Sequence, residues 1–111
     1  MYATVRRYTG NAGANKNLAT RVEGEFIPIL RTIPGFVSYT VIDAEPENGR
    51  DVLMTVSIYT TREGADASVS AAAKWVGENF KDLGLSQPQI TAGNVIVNAG
   101  VQTRAEVAYT Q

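Results

Sequence analysis

The sequence predicts an α+β domain of β-α-β-β-α-β order, and three observations carry that prediction. Four stretches, beginning at residues 2, 36, 51 and 89, are rich in Val, Ile, Thr and Tyr and alternate in polarity. Two longer stretches between them repeat apolar residues at steps of three and four. Asn48-Gly49, between the second and third strands, is a strong hairpin signal. With 111 residues, one domain is expected. This order gives a four-stranded antiparallel sheet with two helices on one face and strand order 4-1-3-2, the ferredoxin-like arrangement.

The first strand, "YATVRRYT" at 2–9, sends Ala3, Val5 and Arg7 to one face and Thr4, Arg6 and Tyr8 to the other. The apolar set is expected to face the helices. "GNAGAN" at 10–15 is a loop, and Asn15 or Asn17 is a plausible N-cap for the first helix. Its stripe is Leu18, Val22, Phe26, Ile29 and Ile33. Pro28 has no N–H for the carbonyl of Gly24, so the helix is expected to bend there. Pro34 pushes Ile33 out of the helical region, and Gly35 lets the chain turn into a strand at Phe36.

The second strand, "FVSYTVID", turns Val37, Tyr39 and Val41 toward the helices. In the third, "DVLMTVSIY", Met54, Val56 and Ile58 share one face and Leu53, Thr55, Ser57 and Tyr59 the other. Thr60 or Thr61 caps a helix over 62–83 with the stripe Ala65, Val69, Ala72, Val76, Phe80 and Leu83. Gly84 and Pro88 end it, and "QITAGNVIVN" is the fourth strand, with Gly93 a candidate bulge. The domain spans residues 1–98, and 99–111 form an extension whose alternating tail suits an edge or swapped strand.

Composition excludes several functions. There is no cysteine, so no disulfide framework and no thiolate nucleophile or metal ligand. There is no histidine, which removes the usual zinc, iron and haem ligands and every His-dependent triad. No metal or cofactor is expected. A net charge of −1 with no basic run argues against nucleic acid, and no apolar run approaches membrane-spanning length. The N-terminus reads as a strand, not a signal peptide, and a cytoplasmic location is expected by default.

Two helices cover only one sheet face. The other face is expected to carry Thr4, Arg6, Tyr8, Ser38, Thr40, Thr55, Ser57 and Tyr59. Its tyrosines and threonines suit a homodimer packed sheet to sheet. Thr40→Arg or Ser57→Arg is expected to split such a pair.

The stretches "EFIPILRTIPGFVSYTVID" and "VLMTVSIYTTREGADASVSAAAKWV" resemble the antibiotic biosynthesis monooxygenase-like superfamily of dimeric α/β barrels over residues 1–98. "IPGF" and the late-helix "WV" carry most of the likeness. The resemblance implies a pocket between helices and sheet, where some relatives oxygenate phenolic polyketides without metal or flavin. Other relatives degrade haem with an Asn, a Trp and an axial His. Trp75 matches that Trp, but the chain has no His, and Arg6 and Arg7 stand where those relatives place Asn. Haem degradation by that route is not expected. Many relatives are small uncharacterised proteins.

On the expected faces, Arg7, Tyr39, Trp75 and Asn79 line one helix–sheet cavity and form the candidate catalytic group. A phenol or enol must ionise before it passes an electron to oxygen. A guanidinium favours the anion, Tyr or Asn holds it, and Trp supplies a flat wall. The same aromatics also read as core filler, and Arg7 as a snorkelling strand-end cation. The function expected is cofactor-independent oxygenation of a small aromatic or enolic substrate. The alternative is a non-catalytic homodimer that binds a small ligand or serves only as a stable module. A cavity beneath Trp75, or its filling by Phe26, Phe80 and Ile29, decides between them.

Weaker signals read as structure. "GNAGANKN" lacks the spacing of phosphate loops. Asp43, Glu45, Glu47 and Asp51 match a calcium loop only loosely and read as a solvated hairpin tip. Ser68 and Ser70 have no evident base.

Overall fold

The computed structural model describes residues 1–100, so the tail 101–111, read as an edge or swapped strand, lies outside the described residues. The elements are β1 (Tyr2–Gly10), α1 (Ala14–Arg21), a π-helical turn (Val22–Phe26), α2 (Ile27–Arg31), β2 (Phe36–Glu47), β3 (Arg50–Tyr59), α3 (Arg62–Asn79) and β4 (Gln89–Asn94). The sheet is antiparallel throughout, in the order β2-β3-β1-β4. This is the expected βαββαβ arrangement, with α1–α2 and α3 packed on one face around Leu18, Phe26, Leu30, Leu53, Trp75 and Phe80.

Pro28 acts through the π turn. The Ile27 N–H reaches back five residues to the Val22 carbonyl, just ahead of the proline. That wider turn rotates α2 relative to α1, so the stripe runs Leu18, Val22, Phe26, Leu30. Leu30 is fully buried, whereas Ile29, expected inside, is 40% exposed. Gly35 ends the helix at φ +88°, with its α-carbon against Thr60. The β2–β3 turn has φ 53° at Asn48 and 74° at Gly49, as a type I′ hairpin requires.

Four local expectations change. The first helix is capped by Gly13 without a side-chain bond. Asn15 is instead buried, donating from its amide to Asp43 Oδ1 (2.7 Å) and the Val52 carbonyl (3.0 Å), which ties α1 to the base of the hairpin. Thr61 does cap α3, accepting from the Gly64 N–H at 3.1 Å. That helix stops at Asn79 rather than 83 and turns into a short 3₁₀ segment, Lys81–Leu83. Its buried stripe is Ala65, Ser68, Ala72 and Trp75, so Trp75, one position before the expected stripe residue Val76, belongs to the core. Gly93 sits in regular register opposite Ala3, without a bulge.

The largest correction concerns the sheet faces. Thr4, Arg6, Tyr8, Thr55, Ser57 and Tyr59 are all buried under the helices. Ala3, Val5, Arg7, Met54, Val56 and Ile58 form the uncovered face. Only β2 matches expectation in part. Tyr39 and Val41 pack on the core, but a bulge between Phe36 and Ser38 leaves Val37 43% exposed. Strand alternation tells which residues share a face, and it is unchanged when the two faces are exchanged. Here the polar set went inside.

Candidate functional site

That inversion puts a guanidinium in the protein interior. Arg6 sits mid-strand on β1, with Thr55 of β3 and Ile90 of β4 as its cross-strand neighbours. It is 1% exposed. None of its three side-chain nitrogens has a hydrogen-bond partner among the described residues, and neither do Thr55 Oγ1 and Ser57 Oγ. A buried charge without a partner costs several kcal/mol, on the order of the whole stability of a small domain. Such a group calls for a cause, whether bound water, an ion, strain or a functional role.

Arg6 is among the residues that line a cleft of about 480 Å³, although its guanidinium nitrogens are themselves buried. Its walls come from β1, α3, β4 and the connection between the last two: Arg6 and Tyr8, then Val69, Val76, Phe80 and Ile90. The connection is held to the end of β1. Ser86 exchanges bonds with Thr9 (2.9 and 2.7 Å), and the Asn11 N–H donates to the Leu83 carbonyl at 2.9 Å. Lys81 stands at the cleft as well, and no carboxylate lines it among the described residues. A chain of net charge −1 therefore carries a locally cationic pocket with apolar walls.

Phenols surround the charge. Burial raises the pKa of Tyr8, and the Arg6 charge opposes that rise. Tyr39 is raised by burial and opposed chiefly by the Arg6 charge. Tyr59 is likewise raised by burial and opposed by Arg6, and its hydroxyl donates to the Leu30 carbonyl at 2.8 Å. Arg6 lies close enough to Tyr8 and Tyr39 to act on both, yet no well-formed hydrogen bond joins it to either. Of these phenols only Tyr8 lines the cleft, beside Arg6, so one neutral hydroxyl stands there with the cation.

The expected group is divided by this geometry. Arg7 lies on the uncovered face and pairs with Glu47 at 2.7 Å. Asn79 accepts from Arg21 at 2.6 Å and donates to the Trp75 carbonyl at 2.9 Å, so it fastens the helix end. Tyr39 and Trp75 do share the helix–sheet interior. The space beneath Trp75 is filled by Phe26, stacked at 4.9 Å, and by Phe80, edge-on at 5.0 Å, which removes the oxygenase site expected there. The gap left among Tyr8, Tyr39 and Trp75 is about 20 Å³, room for no more than about one water. The open cleft lies on the other side of Phe80 and Val76, over Arg6. The signal for Arg6 was present in the sequence: two adjacent arginines in a strand must point to opposite faces, so one of them points at the helices.

Among the described residues, no cluster of three or more His, Cys, Asp or Glu is placed to hold a metal ion, and no helix is long and apolar enough to cross a membrane.

The sequence matches no family model and no curated protein. Solved structures do match the fold. A protein of unknown function from Nitrosomonas europaea is similar over 91% of this chain and 94% of its own, with TM-score 0.71 and 16% identity. A dimeric ferredoxin-like protein from an uncultured marine organism is similar over 89% of this chain and 98% of its own, with TM-score 0.65 and 12% identity. SnoaB, a cofactor-independent oxygenase from Streptomyces nogalater, is similar over 87% of this chain and 94% of its own, with TM-score 0.59 and 13% identity. What these structures share with this chain is the ferredoxin-like βαββαβ fold. Identities this low show the ferredoxin-like protomer and nothing finer.

Proposed function

We propose that the protein is an oxygenase that uses neither metal nor flavin and acts on a small phenolic or enolic substrate in the Arg6 cleft. The observation that carries this reading is the buried Arg6 guanidinium, without a well-formed hydrogen bond among the described residues, behind the wall of a cleft of substrate size. An enolate gives an electron to dioxygen, and the two radicals combine at carbon. Loss of water from the peroxide then leaves a carbonyl where a methylene stood. One oxygen atom stays in the product, the other departs in water with the methylene hydrogens, and the substrate supplies all the electrons. Arg6 stabilises the enolate, Tyr8 is the neutral donor beside it, and Phe80 and Val76 form the wall. Trp75 supports Phe80 from behind. The likeness in fold to a cofactor-independent oxygenase raises this reading above others.

Oxygen-electrode measurements with anthrones and hydroquinones test it. The expected result is uptake that falls about a hundredfold in kcat/KM on Arg6→Ala. Absence of uptake with every substrate leaves a second reading ahead, a non-catalytic binder of small aromatic anions. The feature favouring that second reading is the lack of any carboxylate base among the described lining residues.

The uncovered sheet face supports a homodimer. Val5, Met54, Val56 and Ile58 lie together there, and Ile42 beside them is 41% exposed. A second copy buries this apolar surface, as the dimeric description of a fold relative suggests.

A further inference from the structure

We infer that the cleft selects the ionised form of its ligand, with Arg6 as the specificity-determining counter-ion, so that its substrates are acidic phenols and enols captured from solution as monoanions. This rests on the functional reading above and narrows it to a substrate class and a charge state.

Three features of the site argue for it. Arg6 cannot lose its proton in any ordinary environment, so the charge is permanent. Only the neutral phenols Tyr8 and Tyr39 approach it, without a well-formed hydrogen bond, and no carboxylate lines the cleft among the described residues, so an anion there offsets the charge and a neutral ligand does not. The groups that face it cannot take a proton from a neutral ligand. From β1 and β2 these are Tyr8 and Tyr39, and from β3 Tyr59, all held neutral by burial. From α3 the lining residues are apolar, from the 3₁₀ turn there is the cation Lys81, and from the β4 side Ser86, Gln87 and Ile90. With no base in the cleft, the ligand must arrive without its proton. Both cations favour that form.

Linkage turns this into a measurable quantity. A site that binds the anion tenfold tighter than the neutral form lowers the bound ligand's pKa by one unit. The probe is 4-nitrophenol, whose anion is yellow, with 4-nitroanisole as the isostere that cannot ionise. At a pH one unit below the free phenol's pKa, adding the protein is expected to raise the phenolate absorbance, with a downward shift of at least about one unit. The protein is expected to bind 4-nitroanisole at least tenfold more weakly. Arg6→Met should abolish the shift while still binding 4-nitroanisole, which shows that its cleft is intact. Arg6→Lys, which keeps the charge and loses the fork, should retain part of the shift.

A wild-type protein that binds 4-nitrophenol without a shift, that binds neither probe at millimolar concentration, or whose Arg6→Met variant keeps the full shift overturns the inference. The probe has no oxidisable methylene, so this readout is separate from oxygen chemistry. A shift without oxygen uptake from anthrones leaves the anion site and removes the oxygenase, and uptake without a shift does the reverse.

Discussion

Arg6 and Thr55 stand directly opposite one another across β1 and β3, both buried, and neither has a hydrogen-bond partner among the described residues. Two such groups side by side cost stability in the empty protein. Arg6→Met keeps most of the side-chain length and removes the charge. It is expected to raise stability by about 1–4 kcal/mol, a rise of several degrees in Tm. Thr55→Val removes one unsatisfied hydroxyl and is expected to gain about 1 kcal/mol. Thermal unfolding of the unliganded variants checks both. A lower Tm for Arg6→Met shows that the folded chain already satisfies the guanidinium, which removes the reason for a ligand there.

The buried phenols predict the alkaline limit of stability. Tyr8 and Tyr39 have pKa values raised by burial, with Arg6 opposing. A raised folded pKa means that the folded state holds its proton when the unfolded state has lost it. The stabilisation is therefore complete below the unfolded value of about 10 and is lost as pH rises from there through the folded pKa. Unfolding midpoints in urea should be flat across neutral pH with respect to these groups and should fall above about pH 10. Tyr39→Phe is expected to make that fall shallower. An unchanged slope in Tyr39→Phe places the alkaline sensitivity elsewhere.

Much of the fold was legible because it is written in periodicity and punctuation. Pro34-Gly35, Asn48-Gly49 and Thr61 each set a boundary by local stereochemistry, and each stands where the sequence placed it. The sheet faces were not legible, since Val5 and Arg6 obey the same alternation whichever face is covered. The usual tiebreak sends the apolar face to the helices. It fails here, where Thr4, Arg6, Thr55 and Ser57 lie under the helices and Val5, Val56 and Ile58 on the uncovered face. Ile29 and Leu30 show a second limit. A π turn has no pattern of its own, so the stripe slips by one residue after Pro28. These two effects moved the candidate site from Arg7 to Arg6, one position in sequence and the full thickness of the sheet in space.

Gly35 and Gly49 separate two penalties that glycine avoids. Both have positive φ, +88° and +74°. A β-carbon at Gly49 meets nothing, whereas one at Gly35 runs into Thr60. Gly49→Ala is expected to cost about 1 kcal/mol, the strain of a left-handed residue alone. Gly35→Ala should cost roughly 1–3 kcal/mol more, because the hydrogen bond from the Thr60 N–H to the Gly35 carbonyl (2.8 Å) must also shift. Chemical denaturation of the two variants gives the comparison directly. Equal costs show that the Thr60 contact yields freely.

Val56 and Ser57 are neighbours in sequence and face opposite ways, which gives a two-sided test of the paired sheets. Val56 lies between Val5 on β1 and Thr40 on β2, on the uncovered face. Ser57 is fully buried beneath the helices, so Ser57→Arg does not probe assembly and is expected to abolish folding. Val56→Arg or Thr40→Arg puts a charge on the open face. A face-to-face pair has two-fold symmetry, so each substitution appears twice and brings like charges into a surface losing its water. Sedimentation should show wild-type dimers and Val56→Arg monomers with an unaltered far-ultraviolet circular dichroism spectrum. The Val56→Arg chain should also be less stable, because its apolar face has lost the partner that covered it. Wild-type protein that sediments as a monomer at micromolar concentration rules the pairing out, and Val56, Met54 and Ile58 are then simply half-buried residues of an exposed sheet.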